Sequence, residues 1–192
     1  MHKKFVELLV AKTAGIVVGD GMDESVRMGP MISESHRQSV LKYIEAGKSE
    51  AGAPVIGGGI PAGLDKGYFV EPTIFDNVPV DSSIYREEIF GPVLTVTAFD
   101  GVERLIEAAN DTPYGLAASI WTSDIACGQR LSRKIKAGTV WVNLHNFVFN
   151  QAPYGGFKQS GIGRELGPEG LEAYSEVKNI ITWLGPDGFR WY

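Results

Sequence analysis

The stretch Arg86-Glu87-Glu88-Ile89-Phe90-Gly91-Pro92 runs straight into Val93-Leu94-Thr95-Val96-Thr97-Ala98-Phe99. The second half is apolar and rich in β-branched residues, a strand by residue type. Pro92 cannot donate to a ladder, so it suits the entrance of that strand. It also pushes Gly91 toward extended backbone. The result is a tight corner between a polar loop and a strand. If the corner is extended, Glu88 and Phe90 are two apart and project to the same side. A carboxylate accepts from both hydroxyls of a ribose, and an aromatic ring packs on a planar heterocycle. The pair is therefore a candidate nucleotide site. An exposed Glu beside a buried Phe at a strand entrance is the plainer reading of the same residues.

Working outward, the pattern alternates. A helix is predicted over Val102 to Ala109, with Val102, Leu105, Ile106 and Ala109 inward, and a strand over Leu116 to Trp121. Ser123 or Asp124 caps the next helix, in which Ile125, Gly128, Leu131 and Ile135 share a face, and Thr139 to Leu144 reads as the following strand. Repeated strand–helix–strand order predicts an α/β fold, with a mainly parallel sheet and flanking helices. A loop from His145 to Gly163, a helix from Glu165 to Tyr174 and a last strand from Asn179 to Leu184 complete this side. Upstream, Lys3 to Ala14 reads as a helix carrying Phe5, Leu8, Leu9 and Lys12 at helical spacing. It has no preceding strand or cap, as if the chain began inside a fold. Gly19 to Pro30 is a loop. A second helix runs from an N-cap at Ser33 to about Glu50, with Val40, Leu41, Ile44 and Gly47 on one face and Gly52 closing it. Ala53 to Ile56 is a short strand. Tyr68 to Phe75 is β-rich, but Pro72 restricts it to an edge. Asp81-Ser82-Ser83 caps a short turn.

Bulk composition excludes several functions. The 192 residues suit one domain of moderate size, or one plus an appendage, and 44% hydrophobic with 21% charged residues is ordinary for a soluble globular protein. A net charge of -5 without extended Lys/Arg runs argues against nucleic acid and anionic membrane as partners. No apolar run reaches membrane-span length and no signal peptide is visible, so a cytoplasmic protein is expected. The single cysteine, Cys127, cannot form an internal disulfide. His2, His36 and His145 show no ligand spacing, so no metal site is expected. The Asn110-Asp111-Thr112 sequon is a chance match without secretion. Gly161 to Gly167 has one residue too many for a dinucleotide fingerprint and follows no strand, and Gly57-Gly58-Gly59 opens no helix. The chain therefore carries no dinucleotide-binding domain of its own.

A second dense stretch, Pro153-Tyr154-Gly155-Gly156-Phe157-Lys158-Gln159-Ser160-Gly161-Ile162-Gly163-Arg164-Glu165-Leu166-Gly167, joins the Glu88 corner in a wider pattern. Met28-Gly29-Pro30-Met31-Ile32, Gly67-Tyr68-Phe69-Val70-Glu71-Pro72-Thr73, Tyr114-Gly115-Leu116-Ala117-Ala118 and Gly138-Thr139-Val140-Trp141-Val142-Asn143 stand between or before them. In this order the blocks resemble the aldehyde dehydrogenase superfamily, over essentially the whole chain but only the C-terminal part of a family member. The resemblance implies a partial catalytic domain over residues 1–173 and an oligomerisation segment over residues 174–192, with the N-terminal Rossmann domain absent. It implies NAD or NADP as cofactor, a small-molecule aldehyde as substrate, and a homo-oligomer in the complete enzyme.

Residue by residue, Glu88 matches the family Glu that holds the nicotinamide ribose, and Phe90 the Phe packed near the nicotinamide. Glu87 matches a neighbouring acid without that role. Asn143, Phe147, Val148 and Tyr154 match the loop lining the aldehyde tunnel, with Val148 at a position often aromatic. Plain core packing is the alternative for these four. Arg164 and Glu176 match a pair joining the catalytic part to its oligomerisation strand; a pair of solvated charges is the alternative. The nucleophilic Cys and the general-base Glu of the family belong to a preceding segment. Cys127 does not match the catalytic position and reads as a small half-buried hydrophobe inside a helix. Turnover by this chain alone is therefore not expected. Two readings follow: part of an aldehyde dehydrogenase, or a non-enzymatic oligomerisation module that complements a missing N-terminal half or full-length subunits.

Overall fold

A computed structural model describes residues 1–185. It divides into two compact units, Met1–Arg104 and Leu105–Tyr192. The fold is α/β, and its strand ladders are parallel.

The first unit contains α1 (His2–Ala14), α2 (Glu34–Ala51), β1 (Thr73–Asp76), α3 (Ser83–Arg86) and β2 (Val93–Val96). Ser33 caps α2 as predicted, its Oγ accepting from the His36 backbone N–H at 3.2 Å. The predicted face is the buried one: Val40, Ile44 and Gly47 are buried, with Leu41 half-buried. A Cβ on Gly47 would come within 2.8 Å of the Phe75 ring and 2.9 Å of Ile84. Close approach thus outweighs the roughly 1 kcal/mol that glycine costs inside a helix. Val40, Ile44, Val70, Phe75, Val78 and Ile84 form the core. Burying each large side chain contributes about 1.5–3 kcal/mol.

β1 starts only after Pro72, later than predicted, and pairs with β2 from Thr73 opposite Val93 to Asp76 opposite Val96. The Thr73 N–H donates to the Pro92 carbonyl at 2.8 Å. Proline keeps its acceptor and lacks only the donor, so it serves the strand entrance as read from the sequence. β2 stops at Val96 and leaves Phe99 exposed. The strand expected over Ala53 to Ile56 is reduced to one antiparallel bridge, Ile56 with Ile74. The cap of α3 also differs from expectation. Ser82 makes no side-chain cap bond; the Glu50 carboxylate accepts from the Ser83 N–H at 2.7 Å and from its hydroxyl at 2.9 Å. On α1 only Val6 is buried, while Phe5 and Leu8 stand exposed. The imidazole of His2 meets Asp76 at 2.7 Å and ties the start of α1 to the end of β1. In the Gly19–Pro30 loop, the Ser25 N–H and hydroxyl donate to Asp23 and hold its carboxyl below the usual range.

The division falls within α4 (Val102–Asn110), after which come β3 (Ala117–Ile120), α5 (Ile125–Ser132), β4 (Thr139–Val142), a 3-10 turn at Lys158–Ser160 and α6 (Gly167–Glu172). β3 pairs with β4 from Ala117–Thr139 to Ile120–Val142. Instead of one sheet there are thus two separate two-stranded pairs. Asp124 caps α5, accepting from the Cys127 N–H at 2.9 Å. Gly128 and Leu131 are buried as expected, but Ile125 is exposed; a two-stranded pair covers only part of a helix face. The inward face predicted for α4 is half-buried at Leu105 and Ile106 and exposed at Val102 and Ala109. α6 is shorter than predicted. Leu166 has a φ of 60° and Glu165 is bridged to Tyr154, so neither joins the helix. The last strand expected over Asn179–Leu184 is absent, because a strand needs a ladder partner and the described residues supply none there. No helix among the described residues is long and apolar enough to cross a membrane.

Candidate functional site

In the first unit, the corner between α3 and β2 carries Glu88 and Phe90. It is not uniformly extended. Phe90 has a φ of 53°, in the left-handed region that bulky residues rarely enter. The alternation expected of extended backbone therefore does not set the direction of the two side chains. Phe90 is 72% exposed, against the plainer reading of a buried Phe. Glu88 is exposed and makes no hydrogen bond or ion pair with another described residue.

Helix α2 holds this corner by its neighbours. The imidazole Nε2 of His36 donates to the Phe90 carbonyl at 2.7 Å. The Tyr43 hydroxyl donates to Glu87 at 2.7 Å. Gly91 lies so close to α2 that a Cβ there would stand 2.6 Å from a Val40 methyl. His36, Val40 and Tyr43 are spaced i, i+4, i+7 and so share a helix face. Sequence reasoning missed His36 and Tyr43; the spacing around Val40 was the signal available.

In the second unit, the predicted tunnel residues divide. Asn143, at the end of β4 with a φ of 56°, directs both side-chain polar atoms at one residue. Its Oδ1 accepts from the Thr122 N–H and its Nδ2 donates to the Thr122 carbonyl, each at 2.8 Å. It extends the β3–β4 ladder by side chain. Trp141 is buried and its indole N–H donates to the Phe147 carbonyl at 2.8 Å, which sets the start of the loop. Phe147 packs on Phe149 with ring centroids 4.8 Å apart, and Phe147, Val148 and Phe149 are all exposed. Tyr154 lies at the far end of the loop, bridged to Glu165 by backbone bonds of 2.7 and 2.8 Å. There it lines a cleft of about 890 Å3 with Asn150, Arg164, Leu171 and Tyr174. Phe147 and Val148 do not line this cleft.

Arg164 donates to the Gly156 carbonyl at 3.0 Å and to that of Gly163 at 2.6 Å. Its guanidinium lies 5.3 Å above the Phe157 ring. Among the described residues no ion pair joins it to Glu176, which is exposed. Asn110, of the chance sequon, has its amide bonded to the Lys134 carbonyl and the Lys136 N–H. Cys127 is half-buried on α5, and among the described residues no cluster of His, Cys, Asp or Glu could hold a metal.

Compared with known families, residues 1–180 match the aldehyde dehydrogenase family. The chain belongs to that family. It is 49% identical over 187 residues to betaine aldehyde dehydrogenase of Brucella anthropi, covering 96% of this chain and 38% of the relative. The crystal structure of betaine aldehyde dehydrogenase from Staphylococcus aureus in complex with NAD+ superposes with a TM-score of 0.94 at 43% identity, over 99% of this chain and 38% of that one. An NAD+ complex of aldehyde dehydrogenase from Bacillus cereus gives 0.88 at 47% identity, over 92% and 36%. The chain thus spans well under half the length of the relatives it matches.

The Glu88 corner suits one end of a nicotinamide dinucleotide. A carboxylate without a partner among the described residues has acceptor capacity for two hydroxyls, and the exposed ring of Phe90 offers a flat apolar face two residues away. The corner contains no glycine-rich helix start of the kind that cradles a pyrophosphate.

Proposed function

We propose that this chain is the C-terminal portion of an NAD(P)-dependent aldehyde dehydrogenase that oxidises an aldehyde to a carboxylic acid. The observation that carries the reading is the exposed Glu88 carboxylate, without a partner among the described residues, two residues from the exposed Phe90 on a corner held by α2. The named relatives and the NAD+ complexes support the reaction class and the cofactor. When bound, the oxidised nicotinamide accepts a hydride from the substrate. Glu88 accepts from the ribose hydroxyls and so limits rotation of that end of the cofactor. Phe90 shields the adjacent heterocycle from water. Phe147, Val148 and Tyr154 give the loop after β4 an apolar character suited to an aldehyde path, and Asn143 anchors its first residue. Residues 1–173 form the partial catalytic domain and residues 174–192 the oligomerisation segment, of which 186–192 lie outside the described residues. The resemblance assigns Arg164 and Glu176 to the junction, although no ion pair joins them among the described residues.

The nucleophile, the general base and the pyrophosphate site come from another segment, so the 192 residues alone do not turn over. The second reading, a non-enzymatic oligomerisation or complementation module, is favoured by the uncovered Val177, Ile181 and Leu184 at 103, 86 and 90% exposure. Mixing the chain with the N-terminal remainder of the Brucella anthropi relative tests both. Reduced cofactor should form from aldehyde only in the mixture. Turnover by the pure chain would overturn the division of labour, and a stable but inactive assembly would favour the module.

A further inference from the structure

We propose that His36 is a positioning residue for the Glu88–Phe90 corner, acting through its hydrogen bond to the Phe90 carbonyl. The inference rests on the corner's role in cofactor binding and goes beyond it by naming the side chain that sets the corner's backbone. A carbonyl oxygen only accepts, so the 2.7 Å contact makes Nε2 the protonated nitrogen. In the neutral ring Nδ1 is then a bare acceptor, and among the described residues it is buried without a hydrogen-bond partner. Among the described residues the ring has one polar tie, and that tie is to the corner. His36 as a whole is half-buried, and its Nε2 bond is directed at the corner.

Phe90 needs such a tie. Its φ of 53° is one that a bulky residue keeps only where the surroundings over-determine it. The carbonyl and the ring hang from the same Cα, so a change in φ moves both. Holding the carbonyl therefore holds the ring. Tyr43 and Val40 contact Glu87 and Gly91 on either side. Among the described residues, His36 supplies the hydrogen bond to Phe90 itself. His36 sits at the start of α2, where its backbone N–H donates to Ser33 Oγ at 3.2 Å.

The test is nuclear magnetic resonance on the isotopically labelled 192-residue chain, which requires no cofactor. In the unmodified chain, imidazole nitrogen–proton correlations should show His36 protonated at Nε2. Phe90 should show the strong intraresidue HN–Hα cross-peak of a positive φ. His36→Met fills the space without a donor. It should abolish that cross-peak and shift the amides of Glu87 to Gly91, leaving the Ile44 and Val78 methyl signals in place. His36→Gln retains an N–H donor and should restore the cross-peak. Protonation at Nδ1 in the unmodified chain, or survival of the Phe90 cross-peak in His36→Met, overturns the proposal. Should the Met variant not fold, the tautomer in the unmodified chain decides. Failure of the cofactor reading would be seen separately, as unchanged NAD+ affinity in Glu88→Gln of the assembled enzyme with these spectra intact.

Discussion

Glu88 and Phe90 are the residues on which the proposed chemistry depends, and each makes a separate prediction possible. Replacing Glu88 by Gln removes a charge-assisted acceptor worth about 1.5–3 kcal/mol. In the assembled enzyme, NAD+ binding should weaken roughly ten- to a hundredfold. The variant is an exposed substitution without partners among the described residues, so its melt should stay within about 0.5 kcal/mol of the parent. A cofactor titration alongside a thermal melt checks both; unchanged affinity would remove Glu88 from the site. Gly91 gives the complementary case. A methyl there would meet Val40 at 2.6 Å, and Val40 belongs to the closed core. Gly91→Ala should destabilise by about 1–3 kcal/mol, read as a lower urea midpoint. At this scale residue chemistry was legible: a carboxylate and a ring two apart suggest a nucleotide. The backbone of Phe90 was not, because its φ is held by His36, 54 residues away in sequence.

Among the elements, α2 followed its local signals closely. Ser33 caps it, and the buried face is the one its periodicity indicated. Ser33→Ala should cost about 1 kcal/mol in equilibrium urea unfolding. It should also loosen the first turn, which carries His36. Asp124→Ala, at the cap of α5, should cost a similar amount, about 1 kcal/mol; a midpoint unchanged in both would contradict the capping geometry. The strands were less legible. Pro92 marked the entrance of β2 correctly because its missing donor is a local property. The strand expected over Asn179–Leu184 did not form because a ladder is a property of two segments, and the described residues offer that one no partner. The Glu50 carboxylate at the start of α3 was missed for the same reason, being 33 residues from the N–H it accepts.

Across the whole molecule, apolar side chains stand uncovered on α1 and beyond α6. Phe5 and Leu8 are 54 and 58% exposed, and Ile180 and Trp183 are 75 and 62% exposed. Surfaces of this kind mark interaction sites or association. The isolated chain should therefore self-associate, with a sedimentation coefficient that rises with concentration. A sedimentation coefficient independent of concentration would contradict this. The sequence by itself determined the family, the α/β class with its parallel strands and the cap at Ser33; it left Ser123 and Asp124 open at α5 and marked Glu88 and Phe90 as a candidate pair. These are set by residue type and short spacing. Only the tertiary structure decided that the sheet is two separate pairs, that Asn143 closes the β3–β4 ladder through Thr122, and that α2 holds the Glu88 corner through His36, Val40 and Tyr43. Each of those depends on a contact between distant segments, whose formation reflects loop closure and packing rather than any local preference.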